Sequence, residues 1–275
     1  YGGSSLLSNL FSKYWKEKFN IYLGLNRKWI EIPGTKSIQL NHNKVKDLQD
    51  IIEKYEIDLI MNFSGYTNVE SCEANPELAN YLNGYLPGEL AKVSSKLKSK
   101  LVHISTDHIF DGKHERYTEE SLTNPINTYA SSKLLGETEV LKNNKEALVI
   151  RTNFYGNGPS YRPSFSDIII SYLSIKKPIK LFNNIYYSPI HAFELANCIL
   201  ELIKIDANGI FNICSNERIT KYDFGLMLAD HMNKSKDLIK PIKLETKKDL
   251  IIRPKDMSLS NNKYEITTNT KIKTF

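Results

Sequence analysis

The stretch STDHIFDGKHERYTEESLTNPINTYASSKLLGE, residues 105–137, decides how the chain is read. Before it, Leu101-Val-His-Ile104 reads as an apolar strand that ends in two adjacent hydroxyls, Ser105 and Thr106. After Pro125 the pattern turns helical and carries Tyr129 and Lys133 four residues apart, so both side chains share one helical face. A tyrosine held beside an ammonium can hand a proton to a carbonyl oxygen, because the positive charge lowers its pKa from about 10. The spacing by itself is unspecific, since Tyr-x-x-x-Lys occurs three times. Tyr14/Lys18 and Tyr172/Lys176 lie in Lys-rich amphipathic stretches and read as solvated helix faces; only Tyr129/Lys133 follows a strand that ends in hydroxyls.

Working outward, strands and helices alternate. Residues 1–8 form a turn that runs into a helix with Leu10, Phe11 and Trp15 at helical spacing, and a strand is expected upstream of Gly2. Strands are expected at 19–25, 37–41, 57–64 and 147–151, with amphipathic helices between them. This order predicts an α/β fold with a doubly wound parallel sheet. From Gly156 the chain is rich in breakers (Gly156, Gly158, Pro159, Pro163) and its elements shorten. The expected division is therefore a first α/β domain over 1–155 and a smaller C-terminal α/β domain over 156–275. The polar tail from Asn261 reads as a frayed end.

At 275 residues, 41% hydrophobic and 25% charged, the chain can bury a full core. No apolar run reaches the ~18 residues needed to cross a bilayer. Three cysteines, Cys72, Cys198 and Cys214, are an odd number without metal-ligand spacing, which excludes a disulfide framework and points to a reducing compartment, the cytoplasm. The net charge is +6, but the lysines are scattered among acidic residues, so no nucleic-acid partner is expected.

Ser105-Thr-Asp-x-x-Phe-Asp-Gly112, Tyr117-x-Glu119, Pro125, Tyr129-x-x-x-Lys133, Gly136-Glu137 and Arg151-Thr152-x-Phe154-x-Gly156, in this order, resemble the extended short-chain dehydrogenase/reductase family. Within it they are most similar to dTDP-4-dehydrorhamnose reductases and related nucleotide-sugar reductases. The resemblance implies a Rossmann-like fold in which 1–155 is the cofactor domain and 183–205 returns to it, the rest of 156–275 being a substrate-binding domain. It also implies hydride transfer to a 4-keto sugar on a nucleotide, with Thr106, Tyr129 and Lys133 catalytic. It places the dinucleotide against the turn at Gly2, Ser5, Leu6 and Leu7, against Asn26, Arg27 and Asn41 at the ends of the next two strands, against the wall of Phe63, Ser64 and Gly65, and against Tyr129 and Lys133. The sugar would meet Thr67, Val69, His108 and Phe154.

Departures from the family pattern stand at Ser5 and Ser8, where glycines are usual, at Asn41 for an aspartate, at His108 for a tyrosine, and at Phe63. Arg27, with no acidic residue beside it, points to the 2′-phosphate of NADPH, with NADH as the alternative. Asn83 reads equally as a family asparagine near the catalytic strand or as a satisfied amide inside a helix. Two other readings stay open: a cofactor-binding regulatory or scaffold relative without turnover, and an epimerase or epimerase/reductase of the same fold. No metal site is expected, and a homodimer is an option for assembly.

Overall fold

Leu101, Val102, Leu148, Val149 and Ile150 are wholly buried, as continuous apolar strands must be when both faces of a parallel sheet are covered. In the computed structural model, which describes residues 1–41 and 45–272 (the side chains of 45 and 46 excepted), they form the centre of the sheet. β3 (Leu59–Asn62), β4 (Lys100–Ile104), β5 (Leu148–Arg151) and β10 (Gly209–Asn212) pair in parallel in the order β10-β5-β4-β3. A second parallel pair, β1 (Ile21–Leu25) and β2 (Thr35–Gln39), continues the layer.

The first residues tie the two sheets together. The Tyr1 ammonium donates to Met61 O (2.8 Å), Phe63 N to Tyr1 O (3.0 Å) and Gly3 N to Gly24 O (2.9 Å). Beneath them a cavity of about 620 Å³ separates β1 from β3, lined by Ile21, Leu23, Leu59, Met61 and Phe11 among others.

Helices cover both faces. α1 (Leu6–Trp15) packs on α8 (Ala192–Lys204), burying Leu7, Leu10, Phe11 and Trp15 with Leu195, Ile199 and Leu202. On the other face stand α2 (Val45–Lys54), α5 (Leu86–Leu97) and α6 (Thr128–Asn143). The long helix expected after Pro76 is continuous but not uniform: α4 (Pro76–Asn80) passes through a π-helical turn (Tyr81–Tyr85) into α5. Pro87 cannot donate into the preceding turn, and the widened turn lies just ahead of it.

A second apolar cluster, with Ile169, Leu173, Leu181, Tyr187, Phe224 and Ile239 at its centre, joins α7 (Phe165–Ser174), α9 (Lys221–His231) and the parallel pair β7 (Ile179–Phe182) and β12 (Ile239–Ile242). The chain returns to the first cluster over more than 183–205. β6 (Phe154–Tyr155) pairs with β9 (Ile190–His191), and β10 extends the main sheet. The tail is a correction to the sequence reading: it folds into α10 (Asn262–Thr268), whose Tyr264 is 1% exposed in the main core and donates its hydroxyl to Glu201.

Candidate active site

The end of β4 gathers the residues expected from the sequence to transfer the proton. Ser105 N donates to Ile150 O (2.6 Å), fixing the strand end, and the Thr106 side chain accepts from His108 N (3.3 Å), turning the chain sharply. The Asn127 side chain accepts from Ala130 N (2.9 Å) and caps α6, and its amide also donates to Ile252 O (2.9 Å), docking the C-terminal segment. Tyr129 and Lys133, one turn apart and both buried, reach back toward the strand end. The Lys133 ammonium donates to Ile104 O (2.7 Å).

The electrostatics differ from the simple expectation. Burial pushes the Tyr129 phenol up to about 12, against the opposing pull of a hydrogen bond from Thr106. Burial also brings Lys133 down to about 8, with Glu137 holding it from falling further. The expectation that Lys133 draws the Tyr129 pKa below about 10 is therefore not met. The ammonium is committed to the Ile104 carbonyl, and desolvation of the phenol dominates.

These residues open on a cavity of about 350 Å³. The sequence-predicted Ser5, Leu6, Leu7, Phe63, Ser64 and Gly65 line it from one side, and Thr67, Val69, His108 and Phe154 from the other. Val69 packs with Tyr129 and Cys72, while the His108 ring stands edge-on to Tyr129 with centroids 5.6 Å apart. Burial lowers the pKa of His108, with Asp107 opposing. Phe63 packs edge-on against Phe11 (4.9 Å), filling the groove wall as its size demands. Gly2 lies behind the wall: at φ +76° it packs so closely that a Cβ would stand 2.6 Å from Ser64 N. Asn26, Arg27 and Asn41 are exposed at the ends of β1 and β2, outside the cavity.

Ser105 Oγ, Thr152 Oγ1 and His108 Nδ1 are buried, belong to cavity-lining residues and have no hydrogen-bond partner among the described residues. Leu6 and Leu7 stand in the first turn of α1, whose N–H groups have no intrahelical acceptor. The Ser5 hydroxyl already accepts from Ser8 N (3.1 Å), so that donor of the turn is used within the protein.

Asn83 is a clamp. Its side chain accepts from Tyr66 N (2.7 Å) and donates to Tyr66 O (2.9 Å) and to Ser132 Oγ (2.9 Å). One amide thus holds the loop after Ser64 and Gly65 against the catalytic helix. All three cysteines are buried, and burial pushes Cys72 up to about 11 and Cys198 to about 12.

Sequence reasoning missed several residues of the site. Asn153 donates to the buried Asp107 carboxylate (2.8 Å), and Arg162 and Phe165 line the cavity. The Lys221 ammonium sits over the Tyr187 ring (3.5 Å) and the Phe165 ring (4.9 Å) and is brought down to about 8 by burial, with Asp107 opposing. Capping boxes start α7 and α9, Ser164 with Asp167 and Thr220 with Asp223.

Fold and site together define a Rossmann-type extended short-chain dehydrogenase/reductase. The chain belongs to the family described as RmlD substrate binding domain, which it matches over residues 5–275. It is 33% identical over 196 residues to the probable low-salt glycan biosynthesis reductase Agl14 of Haloferax volcanii, covering 70% of this chain and 65% of that protein. It is 31% identical over 199 residues to methionine adenosyltransferase 2 subunit beta of Xenopus laevis, covering 70% of this chain and 60% of that one. The chain thus spans 60 to 65% of the length of these two curated relatives.

Among solved structures, a hypothetical dTDP-4-dehydrorhamnose reductase from Sulfolobus tokodaii superposes with a TM-score of 0.86 at 32% identity, covering 100% of this chain and 95% of that one. A dTDP-4-dehydrorhamnose reductase from Bacillus anthracis, solved with NADP, shares the fold (TM-score 0.85, 22% identity, 98% of this chain and 92% of that one). No helix among the described residues is long and apolar enough to cross a membrane.

Proposed function

We propose that this chain reduces a 4-keto deoxysugar carried on a nucleotide, in the manner of a dTDP-4-dehydrorhamnose reductase, for deoxysugar or surface-polysaccharide synthesis in the cytoplasm. The observation that carries the reading is the convergence of Thr106, Tyr129 and Lys133 on one cavity with three unpartnered buried polar atoms in its wall. In this reading the cavity-lining residues Ser5, Leu6, Leu7, Phe63, Ser64 and Gly65 hold a nicotinamide dinucleotide, NADPH before NADH, with Arg27 taking the 2′-phosphate. When bound, that cofactor supplies the hydride. Thr106 orients the carbonyl oxygen and Tyr129 gives it a proton. Lys133 keeps positive charge beside the phenol as the proton leaves. The second apolar cluster is the substrate domain, and the homodimer expected from the sequence belongs to the same proposal.

The test is oxidation of NADPH against a panel of 4-keto sugar nucleotides. Turnover on one or more is expected; tight NADPH binding with turnover on none would favour a second reading. That reading, a subunit that binds the cofactor without turnover, is favoured by the likeness to methionine adenosyltransferase 2 subunit beta. The intact Thr106, Tyr129 and Lys133 speak against it.

The pKa values predict a pH profile. With Tyr129 held near 12 and Lys133 near 8, kcat/KM for reduction should be level below neutrality and fall through about pH 8 as Lys133 loses its charge. Lys221 has a similar value, so the profile of Lys221→Gln, in which the fall should persist, separates the two lysines. A profile that rises through pH 8 would contradict the role of Lys133.

A further inference from the structure

The loop at 157–163 does not run out into solvent; it folds back onto the start of α1. A Cβ on Gly158 would lie 2.9 Å from Leu6 Cδ1, so loop and helix touch. Gly158 N and Ser164 N both donate to the Asp167 carboxylate (2.8 and 2.7 Å), and Arg162 N donates to Pro159 O (2.8 Å). Tyr161 anchors the tip: its hydroxyl is hydrogen-bonded with the Asn9 side chain, and its ring carries the Lys28 ammonium at 3.8 Å. The loop therefore spans from α7, beside the substrate end of the cavity, to the chain just after β1.

This geometry puts Arg162 in the cavity wall with Ser5, Leu6 and Leu7. Arg151, Arg218 and Arg253 each hold a carboxylate, whereas the Arg162 guanidinium has no ion-pair partner among the described residues. The other fixed cation of the wall, Lys133, is bound to Ile104 O. The same cavity is lined by Ser5 of the turn in which serines replace glycines, one of whose N–H groups is already taken by the Ser5 hydroxyl.

We propose that Arg162 binds the pyrophosphate of the dinucleotide from the loop side, a positioning residue that supplies the charge and donors the serine-substituted turn gives up. A planar guanidinium suits this task, since it offers paired N–H donors to phosphate oxygens and keeps its charge at all relevant pH. The proposal rests on the dinucleotide reading given above.

The test is fluorescence titration of the full chain with NADPH in the absence of sugar nucleotide. Arg162→Gln should raise the NADPH Kd by about 10- to 100-fold. Arg162→Lys should fall between it and the parent. Affinity for adenosine 2′-monophosphate, which lacks the pyrophosphate, should stay the same. Because the side chain is exposed, the far-ultraviolet circular dichroism of the variants should match the parent.

An unchanged NADPH Kd in Arg162→Gln overturns the proposal. An equal loss for adenosine 2′-monophosphate also overturns it, by moving the residue to the ribose phosphate. An unchanged NADPH Kd with a raised KM for the sugar nucleotide overturns it by placing Arg162 on the substrate. A parent protein that binds neither NADPH nor NADH defeats the dinucleotide reading itself, and this inference with it.

Discussion

Tyr129→Phe is expected to lower kcat for ketone reduction by about 10²- to 10⁴-fold, the range lost when a positioned general acid is removed. The ring packs with Val69, Cys72 and Ala79, and phenylalanine keeps that contact, so the fold should be retained. What disappears is the one hydroxyl that Thr106 engages at the end of β4. Dinucleotide affinity should be largely unchanged, because Ser5, Leu6, Leu7, Ser64 and Gly65 form the rest of the wall. A measurement of kcat beside an NADPH titration checks both halves. Full turnover in the variant would remove Tyr129 from the chemistry, and a loss confined to KM would make it a binding residue instead.

Glu137→Ala is expected to cost about 3–5 kcal/mol of stability. Glu137 and Arg151 are 2% and 4% exposed in their side chains and meet through Nη2 to Oε2 at 2.8 Å and Nε to Oε1 at 3.1 Å. Truncating the acid leaves a guanidinium buried between α6 and β5, with only Glu119 O (3.3 Å) still accepting from it. Urea denaturation followed by circular dichroism gives the difference. A loss below about 0.5 kcal/mol, the level of an unremarkable surface change, would show that water reaches the pair. Glu137 also holds the Lys133 pKa up, so in this variant the decline of activity with pH should begin lower than in the parent.

The catalytic corner was legible because its signals are local. An apolar strand, two hydroxyls and a four-residue spacing lie within one short stretch, and each fixes its neighbour's geometry. The parallel sheet was legible for a similar reason, since buried strands must be apolar throughout. What escaped the reading depends on contacts far apart in the chain. α10 is polar by pattern and is held by side chains that find distant partners, Tyr264 with Glu201 and Lys263 with Ile210 O.

The Asn83 amide could be named but not aimed from the sequence, because its partners Tyr66 and Ser132 sit on different elements. Lys133 was expected to act on Tyr129; the acceptor it actually finds, Ile104 O, is a backbone atom that no side-chain pattern displays. Arg162 shows the same limit. Its loop reads only as a series of breakers, and the docking on α1 arises from Tyr161, Asn9 and Lys28 meeting in space.

The Asn83 clamp has an entropic consequence. Because one buried amide is bonded to the Tyr66 backbone and to Ser132 of α6, the cavity wall after Ser64 and the helix that carries Tyr129 are held together. Ordering a flexible segment costs about 1–2 kcal/mol per residue, and here that cost falls on folding instead of on ligand capture. On the proposed function, Tyr129 is thus already in register when the first ligand arrives, and the second finds little left to freeze.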